Sequence, residues 1–221
     1  MNRRRPRTER SSEPPKPRKI TAISAQQRDD ARMNIEIDGT FAFGLHADVV
    51  LNHYLRVGSE LSADLIEKLQ KEDEVKKAIT AALNLLSFRP RASGELERKL
   101  REKGYSPESA EAAVKRMHDL GYLNDADFAN RWIENRQEHK PRSRRLLRQE
   151  LRQKGIDGEV IEEAMAEIEI DEVADALEIA LKKAASMQGL DQQTRHRRLS
   201  GFLGRRGYGF DVIRKVLEEI D

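Results

Sequence analysis

The chain has 221 residues, 38% apolar and 36% charged, with 41 Lys/Arg against 39 Asp/Glu and no cysteine. The missing cysteine excludes a disulfide framework, a thiol nucleophile and a thiolate-held metal, and no apolar run approaches the roughly 18 residues a membrane span requires. The net charge of +2 conceals blocks: residues 1–19 carry eight Lys/Arg against Glu9 and Glu13, a surplus of +6, and the remainder is −4.

Residues 1–18 are rich in Arg, Pro and Ser with almost nothing to bury, the composition of a disordered basic tail. No apolar segment follows Met1–Arg7, so this start is not read as a secretory signal, and a cytoplasmic protein is expected. The tail is either a solvated end or an electrostatic arm for nucleic acid. Residues 19–72 change character. Met33-Asn34-Ile35-Glu36-Ile37 alternates, Asp38-Gly39 supplies a type I′ turn and Thr40–Leu45 continues the alternation, which together predict a hairpin. Ile20–Ile23 offers a third strand. Val49, Val50, Tyr54, Leu61, Leu65, Ile66 and Leu69 predict two short helices, the second capped by Ser62.

From residue 73 onward one unit recurs. Leu96–Tyr105 (LERKLREKGY) returns as Leu147–Ile156 (LRQELRQKGI) and, more faintly, as Leu199–Tyr208 (LSGFLGRRGY). The glycines Gly104, Gly155 and Gly207 lie 51 and 52 residues apart. The match continues through Val114, Met165 and Leu217, then Met117, Ile168 and Ile220, so a stacked supersecondary unit is indicated. Leucines four apart share one helical face, and the glycine ends the helix in the left-handed cap conformation. A second helix then begins at Ser106-Pro107 or at Asp157.

Each unit also opens with a helix. In residues 73–123 it runs near Glu74–Ser87 and breaks at Arg89-Pro90-Arg91. In residues 124–170 it starts at the N-cap Asn124, carries Phe128, Ala129, Trp132 and Ile133, and ends before Lys140-Pro141-Arg142. In residues 171–221 it spans Asp171–Met187 with Gly189 as the stop. Trp132 shares a face with Phe128 and reads as a core residue rather than a base-stacking platform. The predicted fold is therefore mainly α: three tandem three-helix, helix-turn-helix-like repeats in an elongated curved array, with a small N-terminal cap containing a β-hairpin.

Catalytic signals are absent. The five histidines, His46, His53, His118, His139 and His196, are scattered, and no Gly-rich lysine motif cradles a phosphate. No enzyme activity, cofactor or metal is expected.

The run of helix, Pro-Arg, helix and Lys-Gly-Tyr, followed by Leu120-Gly121-Tyr122-Leu123-Asn124-Asp125 and Phe128-Ala129, resembles the RecX family of bacterial recombination regulators. Arg148–Ile156 resembles that family's second repeat. The resemblance covers roughly residues 75–220, with the front region similar to the N-terminal segment of longer members. The third repeat departs most, carrying Gly201 and Gly204 inside a helix. The resemblance implies a non-enzymatic modulator, most simply a monomer. It implies binding to the RecA recombinase and its filament on DNA, with single- or double-stranded DNA itself expected as an electrostatic, non-specific partner. RecA's ATPase, strand-exchange and co-protease activities would then be restrained in recombination, repair and the SOS response.

The residues supply a surface for such a partner. On a helix from Ser143, steps of about 100° place Arg144, Arg145, Arg148 and Arg152 in one arc beside the core leucines Leu147 and Leu151. With Arg142 and Lys154 they form the expected basic stripe. A secondary patch comprises Arg89, Arg91, Arg195, Arg197, Arg198, Arg205 and Arg206. Asp157–Asp175, by contrast, holds nine acids and no base. Guanidinium forks pair with DNA phosphates and with protein carboxylates alike. A direct DNA-binding helix-turn-helix transcriptional regulator and a plain helical scaffold are the competing readings.

Overall fold

The structure, a computed structural model, describes residues 18–27 and 29–220. Apart from Arg18, the basic tail expected over residues 1–18 lies outside the described residues. The chain divides into two units, Met1–Ala78 and Ile79–Asp221.

In the first unit, β1 (Arg18–Gln26), β2 (Asp29–Ile37), β3 (Thr40–His46) and β4 (Glu60–Leu61) form an antiparallel sheet in the order β3-β2-β1-β4. The β2–β3 turn has Asp38 at φ 52° and Gly39 at φ 76°, the two positive angles a type I′ turn demands. The alternation of β3 is interrupted at Ala42 and holds from Phe43 onward. Ile35 pairs with Phe43 but Glu36 pairs with Phe41, so Ala42 is an extra, bulged residue. That shift sends Phe41 to the face of Glu36, where it is 64% exposed, while Leu45 is buried. Ile20, Ile35, Ile37, Leu45, Val49, Val50, Leu61 and Leu69 form the core of this unit.

Two helix assignments of the sequence reading are corrected here. The helix α1 (Ala47–Asn52) stops early: Tyr54 follows it at φ 50°, 88% exposed, and Leu61 is a strand residue in β4. The short helix capped by Ser62 and the first repeat's opening helix are one continuous α2 (Ala63–Phe88), running through the expected 72/73 boundary. The physical reason lies in what is missing: no Gly or Pro separates Ser62 from Pro90, and the polar stretch between is made of good helix formers. It is tied by Glu67–Lys71 at 2.6 Å and Asp73–Lys77 at 2.8 Å. Buried Asp73 also accepts both ends of the Arg32 fork at 3.1 Å and the His46 amide at 2.7 Å, tying β2 and β3 to α2.

The second unit holds the repeats. The first comprises the end of α2, α3 (Ser93–Glu102) and α4 (Pro107–Asp119). The second comprises α5 (Asp125–His139), α6 (Arg144–Gln153) and α7 (Gly158–Glu167). The third comprises α8 (Glu172–Ala184) with a 3-10 turn at Ala185–Met187, α9 (Gln192–Gly204) and α10 (Phe210–Ile220). Helices α3, α6 and α9 end alike. Gly104, Gly155 and Gly207 have φ of 94°, 79° and 88°, and the amides of Tyr105, Ile156 and Tyr208 reach back to the carbonyls of Leu100, Leu151 and Leu203 at 3.3 Å. This is the six-to-one bond of a Schellman cap. Ser106 and Asp157 cap the following helices as expected.

The junction between consecutive repeats is built twice from corresponding parts. The first residue of the next repeat's opening helix caps the middle helix of the repeat before: Asp125 accepts the Ser93 amide at 2.9 Å, and Glu172 accepts the Arg144 amide at 2.6 Å. These carboxylates sit where the helix dipole is positive. The glycine corner of the next repeat then packs against that same helix start. A Cβ on Gly94 would lie 2.6 Å from the Cα of Gly155, and one on Gly207 would meet Ser143 and Leu146. Ala92, from the first repeat, is buried in the core of the second among Ala129, Ile133, Leu147 and Leu151.

Candidate partner-binding surface

The middle helix of the second repeat presents the expected faces. Ser143 caps α6 by accepting the Leu146 amide at 3.2 Å, and Leu147 and Leu151 are buried. Arg144, Arg148 and Arg152, four apart, therefore share a side of the helix. The single exposed stripe expected of them is not what their side chains form. Arg148 closes a two-pronged pair on Glu162 of α7, with Nε at 2.9 Å and 3.0 Å and an η nitrogen at 2.9 Å. Hydrogen bonding to Glu162 raises the pKa of Arg148 and lowers that of Glu162. The guanidinium of Arg144 donates to the Met165 carbonyl at 2.6 Å, which lacks an intrahelical partner near the end of α7. The acidic run Asp157–Asp175, read in sequence as a contrasting surface, thus lies alongside the arginines and neutralises part of them. The exposed side chain of Arg152 carries no hydrogen bond or ion pair among the described residues. Arg145 is exposed and makes one long bond, 3.5 Å, to the Gly207 carbonyl.

Arg142 and Lys154 belong to a network around two carboxylates. Glu150 accepts from Trp132 Nε1 at 2.9 Å and from Arg136 Nε at 2.7 Å, with Arg142 Nε at 3.9 Å. Arg136 and Lys154 lie over the Trp132 ring, 4.3 and 4.7 Å from its centroid. Lys154 also reaches Glu95 of the first repeat at 3.1 Å. Glu95 is 3% exposed and takes Arg91 at 2.5 Å together with Arg89. Burial alone would raise its pKa, but hydrogen bonds and charge from Arg89 and Lys154 outweigh that and hold it at about 2. Trp132 packs against the core and binds Glu150, so the ring is a structural member of the inter-repeat contact. Beside it a groove of about 1140 Å³ runs between the end of α2, the Arg89–Arg91 loop and α5.

In the third repeat the expected cations differ in exposure. Arg197, Arg198 and Arg205 are exposed and Arg195 is half-buried. The Arg206 guanidinium carbon lies over Phe202, 4.2 Å from the ring centroid. Around it stand Lys140, Lys182 and Lys183, which sequence reasoning missed because they come from α8 and the end of α5. No group of three or more His, Asp or Glu among the described residues could hold a metal ion, and no helix among them is long and apolar enough to cross a membrane.

Comparison with known proteins follows this architecture. Residues 18–62 match the N-terminal domain of the regulatory protein RecX, and residues 78–117, 124–165 and 169–217 match its first, second and third three-helix domains. The regulatory protein RecX of Bacillus subtilis is 35% identical over 204 residues, covering 91% of this chain and 77% of that protein. The RecX of Amycolatopsis mediterranei is 38% identical over 157 residues, covering 69% of this chain and 90% of that protein. A crystal structure of a regulatory protein RecX superposes with a TM-score of 0.70 at 25% identity, covering 91% of this chain and 99% of the other. The crystal structure of RecX from Lactobacillus salivarius shares the fold at a TM-score of 0.58.

Proposed function

The chain belongs to the RecX family of regulatory proteins, and from that premise we propose that it binds the RecA recombinase filament on DNA and restrains RecA's ATPase, strand-exchange and co-protease activities. The observation that carries this reading is the uneven fate of the cations. Glu162 of α7 takes up Arg148 and the Met165 carbonyl takes up the Arg144 guanidinium, whereas Arg152, Arg198, Arg205 and the guanidinium of Arg206 carry no ion pair among the described residues. A filament presents phosphates and carboxylates in a repeating array, and unpaired guanidinium forks suit both.

The competing reading, a helix-turn-helix protein that reads base edges, needs the second helix of a pair in the major groove. In the second repeat that helix is α7, whose exposed Glu159, Glu162, Glu163 and Glu167 would face phosphates; like-charge contact opposes such docking.

The test is RecA's ATPase on single-stranded DNA with and without this protein. The wild type lowers the rate, and a variant reversing Arg152, Arg198 and Arg205 to Glu, with an unchanged circular dichroism spectrum, loses most of that effect. Full inhibition by the folded variant rejects these arginines as the contact; no effect of the wild type rejects the reading.

A further inference from the structure

A crevice of about 330 Å³ lies at the junction of the second and third repeats, between the end of α5, α8 and α9. Its lining includes Lys140, Lys182, Lys183 and Arg206, with Phe202 beside them and the acids Glu138 and Glu178. Glu178 is taken by Lys182, and Glu138 lies 3.8 Å from His139. Lys140, Lys183 and the Arg206 guanidinium have no ion pair among the described residues. Behind them Arg142 stands 3.9 Å from its nearest carboxylate, Glu150. The Nε atoms of both Arg142 and Arg206 are buried without a hydrogen-bond partner. Burial and the charge of Arg142 both push the Arg206 pKa down, as for a cation set beside another cation with too little compensation.

Helix dipoles account for part of this cluster, since Lys140, Lys182 and Lys183 sit near helix C-termini. Each terminus supplies only about half a negative charge, less than the unpaired cations present.

We propose that this crevice binds a phosphate group of a nucleic-acid backbone, with Arg206, Lys140 and Lys183 as its donors. The proposal deepens the filament-binding reading and rests on it for the source of the phosphate. A planar carboxylate is satisfied by one guanidinium fork, as Glu162 is by Arg148 in this same protein. Three cations from three separate segments instead suit a tetrahedral anion with oxygens pointing several ways. The guanidinium over Phe202 sets a cation beside an aromatic ring, a pairing that single-stranded nucleic acid also uses.

The experiment measures binding of a fluorescein-labelled oligothymidylate by anisotropy, without recombinase, so that its outcome is separate from RecA inhibition. Arg206→Gln weakens binding about tenfold, the loss of one charge-assisted phosphate contact, and lowers the salt dependence by about one unit of slope. Lys183→Gln, on the surface of α8 and away from the core, weakens it in the same direction and guards against a folding artefact at Arg206. Lys71→Gln, removing an exposed charge in the other unit, changes binding less than about twofold. Inorganic phosphate, compared with chloride at equal ionic strength, competes against the wild type but not against Arg206→Gln, and that result supports the site with free phosphate as an alternative source. Unchanged affinity in both crevice variants, or an equal loss with Lys71→Gln, overturns the proposal. So does retained DNA affinity alongside lost RecA inhibition, which would assign the crevice to a protein carboxylate.

Discussion

Replacing Gly94 by alanine tests the repeat junction because two effects with opposite signs meet there. Gly94 is a helical residue of α3, and propensity alone credits Gly→Ala in a helix with up to about 1 kcal/mol. The new Cβ, however, would sit 2.6 Å from the Gly155 Cα and 2.8 Å from its carbonyl oxygen, where carbon atoms prefer roughly 3.5–4.0 Å. Both neighbours are backbone, so the repeats must separate by about 1 Å. Overpacking of that kind costs about 1–3 kcal/mol, leaving a net loss of up to about 2 kcal/mol after the full propensity gain. Gly201 in α9 is the control. Its Cβ would meet only the tip of the Arg205 side chain at 3.5 Å, so Gly201→Ala gains about 1 kcal/mol. Urea denaturation followed by the fluorescence of Trp132, the chain's one tryptophan, reads the junction directly, because Lys154 of the Glu95 contact lies over that ring. The Gly94→Ala midpoint falls and the Gly201→Ala midpoint rises. Adding Gly155→Ala to Gly94→Ala costs less than the sum of the two, since one contact is broken once. A Gly94→Ala midpoint at or above wild type would refute close backbone packing as the link between repeats.

Glu95, with its pKa held at about 2 against an ordinary 4.5, contributes stability that is fully present above pH 4.5 and is lost as pH falls toward 2; an acid titration of stability shows this loss in the wild type, and Glu95→Gln flattens it. Asp73→Ala leaves the Arg32 guanidinium, 16% exposed, without its carboxylate and with only the Gly44 carbonyl at 3.0 Å, and costs about 3 kcal/mol, read as a lowered thermal midpoint of the N-terminal unit; a cost below about 1 kcal/mol would dismiss the ion pair as a tie between sheet and helix. Arg148→Glu places two carboxylates together at Glu162 and destabilises the second repeat by about 1 kcal/mol, whereas Arg152→Glu leaves stability within about 0.5 kcal/mol; equal chemical-denaturation midpoints for the two would contradict the different surroundings of these neighbours. Asp125→Ala removes the cap on α3 and costs about 1 kcal/mol, visible as faster amide exchange at Ser93.

What the sequence determined alone was local and periodic, short of the Ala42 bulge, the early stop of α1 and the unbroken run of α2. The Asp38-Gly39 turn, the three glycine stops, the caps at Ser106, Asn124 and Asp157 and the buried faces of Leu96–Leu100 and Leu147–Leu151 follow from dihedral preferences and from which residues share a helical side. These depend on neighbours within a few positions, so the chain spells them out. The tertiary structure alone decided where charges end up. Arg148 and Glu162 are fourteen residues apart and Lys154 and Glu95 fifty-nine, and a guanidinium that looks solvated on a helical wheel is neutralised when another helix brings a carboxylate to it. It also decided the second role of Gly155, which a helix stop requires for its positive φ but which the approach of Gly94 requires for its missing side chain. Periodicity reports which face of a helix is buried; only packing reports what lies against it.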